Sequence, residues 1–301
     1  MSVRQFLSGC FVSLLLFGLI TPTFADNATP DSSTLSYKDA QDLVLLTTEL
    51  RSGDNSQIDQ AIAQIKEWVG EGHVQMQLWH EWVPSMITDQ RYQDAADLAL
   101  AGALARPDIK YISQLMFLRT RALLALGDSD QAIQAAKGYY NVCYMKNTPN
   151  AIQLVAQCLT QVHPNDSDIA QRFLNEQSSA SDVTPDAGTT TQPATPMLTT
   201  IQIDPTLYAD SLNKWKNRTV LTGDFNDFAS YANVLLVADQ PNQALKIFET
   251  LYKQASMQDD LNTAIEGIAR SMRAQDGNVG RANAWLLSLQ KQSGAPAAAG
   301  Q

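Results

Sequence analysis

Chemistry in this chain would show first around its histidines, paired carboxylates and cysteines. His80-Glu81 begins like the helix motif of zinc proteases, in which a second histidine four residues on completes the metal pair. That position is Pro84 here, which offers no ligand and bends a helix. His73 and His163 have no cysteine or carboxylate nearby at a metal-ligating spacing. Asp259-Asp260 is the clearest carboxylate pair, but it stands just before a helical pattern that starts at Leu261. Negative charge there caps exposed amides and meets the positive end of the helix dipole. A Gly-x-Ser-x-Gly elbow and a phosphate-cradling glycine loop are both missing. These residues predict a non-enzymatic protein with no metal and no cofactor.

Cys143 and Cys158 fall near the facing ends of two consecutive helical patterns. Two readings stay open. A disulfide in an exported chain would close a loop of about 15 residues and stabilise the fold by roughly 3 kcal/mol; otherwise both are buried free thiols. The five tryptophans, Trp68, Trp79, Trp82, Trp215 and Trp285, mostly lie on the apolar stripes of their helices, so core packing outweighs a sugar-stacking platform.

The elements that would position these residues are helical throughout. The organising stretch is Leu118 to Tyr140, where two amphipathic patterns meet at Gly127-Asp128. Leu115, Leu118, Ala122, Leu123 and Leu126 share one face of the first helix, and Ala132, Ala135, Ala136 and Tyr139 share one face of the second. Gly127 suits a left-handed C-terminal stop, and Asp128 suits the next N-cap. Further helical patterns run over 36–50, 58–69, 74–88, 92–104, 149–162 and 168–175, and then over 207–217, 225–238, 242–255, 261–274 and 279–290. Pro84 is expected to kink the third of these.

The chain divides accordingly. Residues 1–25 carry Arg4, an apolar run from Phe6 to Ile20, Pro22 and small residues at Thr23 and Ala25, which is the pattern of a secretory signal cleaved after Ala25. That run is shorter than the roughly 20 residues a membrane-spanning helix needs, so stable membrane insertion is not expected after cleavage. Leu7-Ser8-Gly9-Cys10 resembles a lipoprotein box, but the apolar run follows the cysteine instead of preceding it. Residues 26–35 are a tether, 36–177 an N-terminal helical block, 178–204 a linker rich in Ser, Thr, Pro and Asp that is expected to be disordered, 205–292 a C-terminal helical block, and 293–301 a loose tail. The formal charge is −10. Loss of Arg4 with residues 1–25 leaves 20 basic and 31 acidic side chains, or −11, which disfavours nucleic acid and anionic membranes as partners.

A period runs through both blocks. Small residues near the start of each second helix recur at Ala61, Ala95, Ala132, Ala170, Ala244 and Ala282, in steps of 34, 37, 38, 74 and 38. The long step equals two repeats and implies one degenerate or missing unit around 180–220. Spacing of this kind belongs to arrays of helical hairpins.

The chain resembles the tetratricopeptide repeat family. Tyr92-Gln93-Asp94-Ala95, with Trp79 before it and Pro107 after it, is similar to that motif, as are Leu126-Gly127-Asp128 with Gln131-Ala132-Ile133, and Tyr231 and Leu235 with Asn242-Gln243-Ala244-Leu245 and Phe248. The fold class expected is therefore all-α, an array of antiparallel helical hairpins resembling a solenoid of this family, in two blocks. The resemblance implies an inner surface made by the first helix of each pair, carrying Gln77, His80, Gln114, Phe117, Arg121, Asn226 and Asn233 as the partner-binding residues. The partner implied is a protein or peptide met in the periplasm or outside the cell. A polysaccharide- or peptidoglycan-associated role is the alternative.

Overall fold

A computed structural model describes residues 37–70, 74–181 and 196–293; the residues expected to be a signal segment and a tether, and most of the expected tail, lie outside this range. The described residues form α-helices with short 3-10 and π turns and no strand. The N-terminal block holds α1 (Tyr37–Leu50), α2 (Asn55–Gly70), α3 (Gln75–Gln77), a π turn (Leu78–Trp82), α4 (Val83–Thr88), α5 (Tyr92–Ala105), α6 (Ile109–Leu126), α7 (Ser129–Val142), α8 (Thr148–Val162) and α9 (Ile169–Ser181). After the helical turn α10 (Met197–Thr200) come α11 (Ala209–Thr222), α12 (Phe225–Val237), α13 (Pro241–Gln254), α14 (Gln258–Asp276) and α15 (Gly280–Ser293). Consecutive helices pack on each other, most extensively α5 on α6, α6 on α7 and α13 on α14. The architecture is an array of antiparallel helical hairpins.

The repeat is written into the turns. Gly53, Gln90 and Gly127 all have positive φ at 37-residue intervals, and Asp239 and Gly277 repeat the conformation 38 apart in the second block. A left-handed residue there lets the chain reverse from the first helix of a pair into the second. Five residues after Gln90, Gly127, Asp239 and Gly277 come Ala95, Ala132, Ala244 and Ala282, each fully buried. At Gly127 the stop is as the sequence predicts: φ is 83°, and the Asp128 side chain accepts from the Gln131 amide.

Pro84 does not simply kink its helix. The Val83 amide donates to the Leu78 carbonyl five residues back, so one π turn precedes the proline and absorbs the register change that its missing N–H would impose. Trp82 sits inside with its indole N–H on Thr47 Oγ1 at 3.0 Å, which fastens this turn to α1.

The segment expected to be a disordered linker is ordered at both described ends. Residues 178–181 finish α9; Leu198, Ile203 and Tyr208 are buried in the N-terminal core. The Met197 amide donates to Glu176, and Lys137 donates to the Ile201 carbonyl. A few apolar side chains among threonines and prolines suffice because a preformed surface receives them. Residues 182–195 are outside the described range. In the span expected to hold a degenerate or missing unit, α11 forms and packs on α12.

The two blocks are not independent rods. Helices α12 and α14, the inner helices of the second block, pack against α7 of the first. Gly138 permits the approach: a Cβ there would lie 3.3 Å from Val237 Cγ1 and 3.0 Å from Met116 Cε. A comparable bare spot lies within the second block, where a Cβ on Gly267 would fall 2.2 Å from Phe248 Cδ1. The rest of the α7 contact is polar. Lys137 Nζ meets Asp239 Oδ2 at 2.6 Å, and Asn141 Nδ2 donates to the Leu236 carbonyl at 3.1 Å. Two fully buried guanidinium groups from α14 then close the end of α7. Arg270 donates to the Val142 carbonyl at 3.1 Å and to Asn233 Oδ1 at 2.9 Å. Arg273 donates to the Tyr140 carbonyl, to the Cys143 carbonyl at 2.9 Å and to Thr148 Oγ1 at 2.6 Å.

These are carbonyls that a helix end leaves without partners, at the negative pole of its dipole, so the cations satisfy both needs at once. Desolvation draws the Arg270 guanidinium down to about 10, which still leaves it charged at neutral pH. Its folded value lies below the unfolded one, so burying this cation is a cost that eases only as pH climbs beyond about 10. Replacing Arg273 by leucine strands the Tyr140 and Cys143 carbonyls inside the protein. The expected loss of folding free energy is about 2–4 kcal/mol, read from urea unfolding; a loss below about 0.5 kcal/mol would deny the capping role.

Candidate binding groove between the helical blocks

The seven residues assigned to an inner binding surface fare differently. Asn233 is 3% exposed, spent on the Pro107 carbonyl at 2.8 Å and on Arg270. Gln114 is also buried. Neither can greet a partner, and the expectation for both is corrected. For Asn233 the cause is direct, because the wall made by α12 and α14 is occupied by the chain's own α7. Gln114 is enclosed because α6 is buried on nearly every side. His80 is exposed and Gln77 half-buried beside it in sequence. Phe117 is half-buried on Tyr139, at 5.5 Å between ring centroids, with the Arg121 guanidinium 5.9 Å from its own ring. Asn226 is exposed and lines a groove of about 550 Å³.

That groove is built from three places in the chain. The α5–α6 turn brings Arg106 and Asp108; α11 brings Lys214 and Arg218; the start of α12 brings Asn226 and Asp227. The sequence fastens each of them locally. Asp108 is the N-cap of α6 and accepts from the Tyr111 amide. Asp224 caps α12 and holds the Asn226 amide at 2.8 Å. Trp215 is buried between the two sides, and its indole N–H reaches the Leu104 carbonyl at 3.0 Å. With Asn233 on the Pro107 carbonyl, both ends of the α5–α6 turn are held by the second block. The groove therefore exists only while the blocks are docked.

Its electrostatics are ordered. Arg218 Nε donates to Asp227 Oδ1 at 2.7 Å, and the second oxygen of that carboxylate accepts from Thr222 Oγ1 at 2.7 Å. The guanidinium also lies 5.3 Å from the Trp215 ring. Arg106 Nε is 3.3 Å from Asp108 Oδ2, and its guanidinium is 5.2 Å from the Tyr111 ring. Lys214 has no ion pair among the described residues. Sequence reasoning picked out Asn226 alone from this set. The Lys214 and Arg218 spacing of four was legible as one helix face, but Arg106 lies 108 positions before Lys214, beyond any local pattern.

No group of His, Cys, Asp and Glu suited to a metal occurs among the described residues, and none of the helices described is long and apolar enough to cross a membrane. Comparison with protein-family models, with characterised proteins and with solved structures gives no match for this chain.

Cys143 and Cys158 are both buried and unpaired. Burial pushes the Cys158 thiol up to about 12 and raises Cys143 as well, so neither forms a thiolate near neutral pH. The chain starting at Asp26 is expected to resist iodoacetamide while folded and to take up two labels once denatured, as read by intact mass. A denatured mass with no label would mean that the two sulfurs are bonded.

Proposed function

We propose that this chain is an exported, non-enzymatic helical-repeat module, similar in plan to the tetratricopeptide family, that holds a segment of another protein in the cell envelope. The single observation that carries the reading is the groove between the blocks, where cationic and amide side chains from distant parts of the sequence converge. A groove of about 550 Å³ falls within the range of ligand clefts and suits a few residues of an extended chain. Export rests on the pattern of residues 1–25. The repeat resemblance supports a binding role by analogy of architecture. None of the five tryptophans is exposed, which takes away the main support for a polysaccharide-associated role.

Immobilised chain from Asp26 onward, mixed with envelope extract and crosslinked, should retain a protein that Lys214→Glu loses and Lys216→Glu keeps. Lys216 is the control because it is exposed on the same helix and does not line the groove. Capture that is indifferent to Lys214 would remove the groove from the function.

A further inference from the structure

We infer that copies of this chain bind one another head to tail, with the Val220 and Leu221 side of α11 in one copy set into the groove between α1 and α2 of the next. The inference is independent of the seam groove and of whatever that groove holds.

The two faces belong to the first full helix described in each block. A helix array stays soluble when the outward side of its terminal helix is polar, because that side has no neighbour to cover it. Both helices break that rule. On α11, Val220 and Leu221 are 80% and 85% exposed, the highest values among the large apolar side chains that the described residues expose. On α1, Val44 and Leu45 are 67% and 55% exposed. Single exposed apolar residues are ordinary, but two adjacent pairs, each on the helix that opens a block, are not a random scatter. Valine at an exposed helical position also gains neither helix propensity nor burial in the lone chain. A second copy supplies that burial.

The shapes match as ridge and groove. Trp215 and Thr219 face inward from α11, so Val220 and Leu221 stand as a ridge on its outward side. Between α1 and α2 lies an open groove of about 650 Å³, lined by Leu45, Thr48 and Glu49 from the first helix and by Gln57 and Gln60 from the second.

Charge decides which face meets which. Residues 37–70 carry six acidic and three basic side chains, whereas α11 carries one acidic and three basic. Asp42 and Glu49 stand three before and four after Leu45, on its own side of α1; Lys216 stands four before Val220 on α11. Pairing α1 with α1 sets carboxylates against carboxylates, and pairing α11 with α11 sets cations against cations. Only α11 on α1 joins opposite signs around the two apolar pairs. Such a contact uses different surfaces on the two copies, so a dimer keeps one free face of each kind and adds a third copy. One helix on one hairpin covers less than the roughly 1,200 Å² of a stable complex, which makes the association weak and concentration-dependent.

The test is sedimentation velocity on the chain from Asp26 onward, over concentrations reaching about 1 mM. The weight-average coefficient is expected to rise with concentration past that of a dimer, and to rise less as sodium chloride shortens the screening length below about 8 Å. Leu45→Glu and Leu221→Glu, both at exposed positions and expected to leave the helical circular dichroism unchanged, should each weaken association by about tenfold or more. Mixed one to one they should form a dimer and nothing larger, because one variant keeps its α11 face and the other its α1 face. Leu287→Glu, exposed on α15 and part of neither face, should associate as the unaltered chain does. A chain that stays monomeric throughout would overturn the inference. It falls equally if only one of the two variants matters, which would make the contact isologous, if the mixed variants remain monomers, or if Leu287→Glu weakens association as much as they do.

Discussion

The structure depends on the way the C-terminal end of α7 is closed. A helix that ends inside a protein leaves carbonyl oxygens facing an apolar interior, and each costs free energy if nothing donates to it. Here the donors arrive from α14, more than 120 residues later, as two guanidinium groups with no exposed surface to speak of. Buried cations are costly alone, and buried carbonyls are costly alone. Set against each other the carbonyls gain donors and the guanidinium groups gain acceptors, with Arg273 Nε alone of their bonding atoms left buried without a partner, and the arrangement can be made only with the second block in place. Docking of the blocks thus follows from α7 being buried at all.

From that closure the rest of the architecture can be understood. In an open array of hairpins the first helices would form a wall available to a partner. In the second block that wall is already filled, with α7 lying where a visitor would lie and bonded through Lys137, Asn141 and its terminal carbonyls. An accessible groove remains at the seam between the blocks, where the α5–α6 turn meets α11 and α12. The αL residue Asp239 illustrates the coupling. A glycine would adopt its backbone conformation with less strain, yet its carboxylate takes both Lys137 and Asn141, so the turn that reverses the chain also fixes the neighbouring block.

The helices and their turns were legible in the sequence because both depend on local rules. Apolar spacing gave the faces of α6 and α7, Gly127-Asp128 gave the reversal, and the alanine period gave the repeat. The polar face of α7 carried no such signal. Lys137 and Asn141 look like solvent-facing positions until a partner more than 90 residues away covers them. The same holds for Asn233, which a solenoid with an open wall would expose. Composition misled at 196–204 for a related reason: polar bias predicts disorder only where no nearby surface receives the few apolar side chains present. Of the groove, the pair on one face of α11 was visible in the spacing, and Arg106 was not, since its place is set by the docking of blocks and not by any neighbour in sequence.

The aromatic ring of Phe248 rests directly on the backbone of α14 at Gly267, at a distance that leaves no room for even a methyl group. The crossing of α13 and α14 is thereby set by an atom that is absent, and the two positions form a single unit of variation. A related chain that carries alanine at the place of Gly267 must also carry a smaller side chain at the place of Phe248. While the crossing keeps its present closeness, alanine at 267 alone overlaps the ring and a smaller side chain at 248 alone leaves a void, so the volume gained on one helix is best given up on the other.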